Sequence, residues 1–189
     1  MLVRTITVSA AIIAFAALLA CPVRADDSRA GVDTLKGLHG VRVVVEDLDS
    51  DLIAAGISGD HIQSNVEDQL KKAGITVEDE DAWKDDSAHP FLYIRLSSFK
   101  SDDGKFYAYH IDVELDQQVT VQNGDTRTLC QTWQTGCIGI APKDSVPQLY
   151  DRVTTYVGEF VDDFNSQNPS SSARNEKSLP QKATKVASR

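Results

Sequence analysis

The chain has little of what small proteins use for bracing or for catalysis. It holds three cysteines, one methionine and two tryptophans in 189 residues. So few cysteines exclude a disulfide-dense scaffold. Positive charge is scarce, with 19 Lys and Arg against 28 Asp and Glu and a formal net charge of -9. Without a basic face for phosphates, nucleic acid is excluded as the main partner. There is no HExxH, no P-loop, no G-x-S-x-G and no S-x-x-K, so no local motif announces a metalloprotease, a nucleotide enzyme or a serine hydrolase. A CxxC pair for thioredoxin-type redox work is also missing. No catalytic residue, metal site or cofactor is assigned. What remains, 41% hydrophobic and 25% charged residues, is the composition of one globular domain with tails.

One long apolar run exists, residues 10–20 (AAIIAFAALLA), preceded by Arg4. It is too short to span a bilayer, which takes about 20 apolar residues, and it suits the h-region of a secretory signal peptide. Residues 1–25 are therefore expected to be a leader, with cleavage after Val23-Arg24-Ala25 and a periplasmic or secreted product without a transmembrane segment. A second route reads Leu18-Leu19-Ala20-Cys21 as a lipobox and anchors a lipoprotein at Cys21. Pro22, directly after that cysteine, weighs against it. Either route leaves Cys130 and Cys137 as an even pair in an oxidising compartment, where a disulfide closing a short loop is expected. The bridge requires a turn near Thr135-Gly136, because bridged Cα atoms lie within about 7 Å. The alternative is two free thiols, one in a strand and one in a loop.

Residues 26–169 hold 12 basic and 27 acidic residues, whereas residues 170–189 hold five basic and one acidic. The segment 169–189 is Ser-rich, basic and poor in apolar residues, so it is expected to be a disordered tail. Between leader and tail, residues 36–168 are expected to form one domain. Residues 41–48 (VRVVVEDL) read as a strand. Ile62, Val66, Leu70 and Ala73 make one helical stripe, which Gly74 stops. Residues 75–78 form a short strand, giving a βαβ unit, and residues 78–86 read as a charged connection. Runs 91–99 and 106–121 flank Asp103-Gly104 as a hairpin, with Leu92, Ile94 and Leu96 facing the odd-numbered series from Tyr107 to Val121, which only Gln117 breaks. A further turn at Asn123-Gly124 leads to a strand over 126–134, where Leu129 and Trp133 share parity and are both expected in the core. Val146, Leu149, Val153, Val157, Phe160 and Phe164 make a closing amphipathic helix. The order β-α-β-β-β-β-α predicts an α/β (α+β) sandwich, a mixed sheet of about five strands packed on two helices.

The strand at 41–48, Val66-Glu67 and Leu70 running into Ala73-Gly74-Ile75, Pro90-Phe91-Leu92-Tyr93, the strand from Tyr107 to Leu115, Trp133 and the helix end from Phe160 to Asn168 together resemble an uncharacterised family of small bacterial exported proteins. The resemblance implies no activity and transfers no site residue. The element order is also similar to small envelope-assembly modules, such as the N-terminal domain of the Tol-system translocation protein and outer-membrane lipoprotein activators, at the level of fold alone.

The four histidines, His39, His61, His89 and His110, form no local ligand pattern. Asp47, Asp49 and Asp51 have the spacing of a calcium loop, but Leu52 and Ser58 stand where that loop needs glycine and glutamate. The surface singled out is the outer face of the hairpin. There Phe91, Tyr93, Arg95 and Phe99 share a side with Phe106, His110 and Asp112, and Arg95 lies opposite Asp112 or His110 depending on register. Aromatics around a charge that can be paired are the composition of a binding patch. The competing expectation is that the C-terminal helix covers this face. The function expected is a non-enzymatic exported module that binds an envelope protein partner. The alternatives are a periplasmic small-molecule or ion binder, with its pocket at the sheet end near residues 47–51, and lastly a hydrolase.

Overall fold

The computed structural model describes residues 31–169. The expected leader lies outside the described residues, as does the expected tail beyond Pro169. A valine-rich strand β1 (Gly40–Val45) opens the sheet. Asp49 then caps a short helix α1 (Ser50–Ala54) by accepting a hydrogen bond from the Leu52 amide at 2.9 Å. Ser58 caps α2 (Gly59–Lys72), whose Ile62, Val66 and Leu70 are buried as the stripe predicts. Gly74, at φ 82°, takes the left-handed position that ends this helix. The two-residue strand β2 (Thr76–Val77) pairs parallel with β1, with Gly40 opposite Thr76. The segment expected as a charged connection contains a helix, α3 (Glu80–Asp85), because Asp79 accepts from the amides of Asp81 and Ala82. Strand β3 (Phe91–Lys100) runs parallel to β1, and β4 (Phe106–Thr120) and β5 (Arg127–Pro142) follow antiparallel. A 3-10 turn (Lys143–Gln148) leads into α4 (Leu149–Gln167).

The sheet order is β2-β1-β3-β4-β5, a mixed five-stranded sheet. Its inner face carries Val41, Val43, Leu92, Ile94, Leu96, Tyr107, Ile111, Val113 and Leu115, all buried against the apolar stripes of α2 and α4. The result is a two-layer α/β domain of the class predicted, with each helix burying one face. Trp133 packs edge-on against Phe160 at 5.2 Å and donates from its indole nitrogen to Asp163 at 2.9 Å, so its one polar atom is satisfied. Asn168 closes the domain. Its side chain accepts from the Gly37 amide at 2.8 Å and donates to the Leu35 carbonyl at 2.9 Å.

Strand β5 departs from expectation twice. It continues to Pro142 with no turn at Thr135-Gly136, so Cys130 and Cys137 lie seven positions apart along one strand. At about 3.3 Å per residue their Cα atoms are separated by on the order of 20 Å, three times what a disulfide spans. The expected bridge between them is therefore ruled out within this fold, and both are free thiols. Second, Leu115 pairs with Trp133 but Asp116 pairs with Gln131, which leaves Thr132 as an extra residue, a β-bulge. The bulge reverses the facing of everything before it. Trp133 is buried, whereas Leu129, expected beside it in the core, is 53% exposed. The same bulge accounts for Gln117, the polar break in an apolar series. The Gln117 amide nitrogen donates to the Thr132 hydroxyl at 2.7 Å and to the Thr34 carbonyl at 3.2 Å, so it is buried with its donors used.

Candidate functional site

The outer face of the sheet is the candidate site. The closing helix α4 packs on the opposite face, so it does not cover this one. The hairpin register places Arg95 opposite Asp112, with Tyr93 opposite Glu114, Phe91 opposite Asp116, and Ser97 opposite His110. The residues singled out in the sequence thus stand on one side of β3 and β4. Tyr93, Arg95, His110 and Asp112 come together in the middle of that side, whereas Phe91 stands at one end and Phe99 and Phe106 at the other.

At one end, Phe91 lies under Trp83 of α3 at 4.4 Å between ring centroids, and the Arg42 guanidinium sits over the same indole at 5.5 Å. This corner is the part of the face that a helix does cover. In the middle stands Arg95, the hub of an ion-pair cluster. Its guanidinium lies 2.6 Å from Glu46, 3.3 Å from Asp112 and 3.6 Å from Glu114, and it stacks over Tyr93 at 5.5 Å. His110 lies 3.7 Å from Asp112 and joins the cluster when protonated. The far end is apolar. Phe99 is 75% exposed, and Phe106, Ile138 and Ile140 are exposed beside it, with Phe99 and Ile140 flanking Ala108 across adjacent strands.

Charge in the middle is unbalanced, since one arginine faces three carboxylates with Asp116 nearby. Burial pushes the Glu114 carboxyl above its ordinary range, the Asp116 carboxylate adds to the rise, and Arg95 pulls it back. Burial also raises Asp116, again against Arg95. The hydrogen bond to Glu46 holds Arg95 firmly protonated. Arg95 is therefore committed to its own carboxylates and is not spare for an anionic ligand. The surplus negative charge suits a cation from outside.

Glu46, Glu114, Trp83, Ile138 and Ile140 belong to this face and were not singled out from the sequence. Glu46 directly follows β1, two strands before β3 in the chain, and no local pattern marks it. The alternation Ile138-Gly139-Ile140 was a readable strand signal that the expected end at 134 cut off.

The sheet-end region near Asp47 to Asp51 forms an open groove of about 560 Å³, lined by Val45, Glu46, Leu48, Ile57, Asp60 and Gln63 among others. Its acids are partly engaged. Asp49 caps α1 and also accepts from the Ser98 amide at 2.9 Å, and Asp51 pairs with Lys100 at 3.3 Å. Compared with models of known protein families and with curated protein sequences, the chain matches none.

Proposed function

We propose that the protein is a non-enzymatic binding module exported to the cell envelope, engaging a partner protein through the outer face of its sheet. The observation that carries this reading is that face itself: half-buried carboxylates in excess of their cation, beside exposed Phe99 and Phe106. A basic side chain flanked by an apolar one is the partner chemistry that fits. Export rests on the leader-like residues 1–25.

The test is affinity capture of the tagged protein from its native envelope after mild crosslinking, beside an Asp112→Asn/Phe99→Ala variant, which reduces both the carboxylate excess and the exposed apolar neighbour. A partner captured reproducibly by wild type and lost with the variant is expected. A partner retained equally by the variant would move the site elsewhere, and no partner at all would defeat the reading. The small-molecule alternative is favoured by the groove beside residues 45–48 and Asp60. It predicts a thermal shift with a small metabolite or cation that Asp60→Asn abolishes.

A further inference from the structure

Strand β5 is the last strand of the sheet, and among the described residues no strand pairs with its outer edge. Open edges of this length are ordinarily guarded by charge, proline or a bulge. The guard here is confined to one end, where the bulge at Thr132 lies under the turn at Asp33–Leu35 and the Thr34 hydroxyl reaches the Thr132 carbonyl at 3.3 Å. Beyond it, among the described residues, no charge, proline or bulge guards the edge before Pro142. Residues 128–142 carry no charged side chain, in a chain that is 25% charged. Ile138 is 82% exposed and Ile140 is 74% exposed.

The phase of the main chain follows from its hydrogen bonds. The Val121 amide donates to Thr126 and the Lys143 amide to Lys105, each at 2.9 Å, so the odd-numbered residues of β4 bond to β5. Their partners in β5 are Trp133, Thr135, Cys137, Gly139 and Ala141. The residues between them, Gly136, Ile138 and Ile140, therefore point their amides and carbonyls away from the sheet.

We propose that this edge pairs with the same edge of a second copy of the chain, antiparallel, about a two-fold axis at Gly139. In that register Ile138 of each copy lies opposite Ile140 of the other, and each such pair exchanges both main-chain hydrogen bonds. Glycine meets glycine on the axis, where strands come closest. Pro142, which has no amide proton, falls opposite Gly136 and ends the ladder. The two sheets become one, and the isoleucines join Phe99 and Phe106 of both copies in a continuous apolar strip.

A second copy fits better than a basic partner, because the edge offers a basic partner no carboxylate. Along residues 128–142 two copies of so acidic a molecule can also meet without setting like charges opposite each other. Salt therefore separates this contact from the one proposed above. Screening strengthens an uncharged contact between two acidic bodies and weakens an ion-paired one.

The experiment is light scattering with size exclusion on the purified full chain, at low and high salt, beside Ile138→Lys/Ile140→Lys. A dimer is expected, favoured by salt, and the variant is expected to be monomeric with unchanged circular dichroism, since both side chains are exposed. Register is read separately in a Cys21→Ser/Cys130→Ser/Cys137→Ser background. Mild oxidation of a mixture of Ile138→Cys and Ile140→Cys chains should give covalent heterodimers, while each alone couples poorly. A monomer at every concentration would overturn the proposal, with the chain's own residues before 31 as the occupant to examine next. A dimer unaffected by the lysines, or one dissolved by salt, would also overturn it. Capture of an envelope partner by the Arg95 cluster is read by its own experiment, and neither a monomer nor a dimer here decides it.

Discussion

Replacing Arg95 with methionine should destabilise the domain at neutral pH and leave it nearly unharmed in acid. The guanidinium lies 2.6, 3.3 and 3.6 Å from the carboxylates of Glu46, Asp112 and Glu114. Its side chain is 37% exposed, so solvent screens each pair. Pairs of this kind contribute about 0.2–1 kcal/mol each, and three that share one already ordered cation give a total of about 1–2 kcal/mol. Methionine keeps the stem that packs beside Tyr93, so the loss is chiefly that of charge. Without the arginine, Glu114 and Asp116 lose the interaction that pulls their carboxyls down, and both rise further. An acid whose affinity for protons is raised by folding destabilises the fold when ionised and ceases to do so as pH falls through its folded range. The penalty of Arg95→Met should therefore be complete at about pH 7 and fade towards pH ~4, where carboxylates take up protons. Urea unfolding followed by tryptophan fluorescence is the assay, because Trp133 is buried in the core. A midpoint lower by about 0.5–1 M is expected at neutral pH. An equal loss at both pH values would mean that packing, not charge, holds Arg95 in place. No loss at either would show the cluster to be energetically idle.

Two further outcomes follow from the same geometry. Glu114→Gln should raise the thermal midpoint at neutral pH and flatten its rise on acidification, since burial has pushed that carboxyl up; an unchanged pH profile would contradict its assigned surroundings. Reducing agent should leave the thermal midpoint of the monomer unchanged, and Cys130, exposed, should react with a thiol reagent faster than the half-buried Cys137. A midpoint that falls on reduction would restore a bridge that the strand geometry excludes.

Much of this architecture was legible because periodicity reports burial. The odd-numbered series from Tyr107 to Leu115 and the stripes of α2 and α4 place their residues on the core side as read, whereas Val121, read as the end of that series, follows β4 and is exposed. The turn at Asp103-Gly104 left two registers open, and the structure takes the one that sets Arg95 against Asp112. What escaped detection was non-local or non-periodic. A single extra residue at Thr132 moved Leu129 from the core to the surface, and no local signal marks a bulge whose reason is Gln117 on the neighbouring strand. The helix α3 rests on one capping aspartate in a run of acids, where Asp79 looks like its neighbours. Glu46 reaches Arg95 only because β1 and β3 are adjacent and parallel, a fact of topology. The hairpin residues of the candidate site could thus be named in advance, but the carboxylate excess that gives the site its character could not.

Asn168 has a consequence for how the domain can be joined to other things. By holding Gly37 and Leu35 it ties the segment that leads into β1 to the end of α4. The first turn of the described unit is thus held beside the end of its last helix, like two leads from one socket. A tether attached through either lead would let the unit swivel without unthreading it. For the same reason, a short linker across this point should let the chain be reopened elsewhere, at the Asp103-Gly104 turn for instance, with the core unchanged.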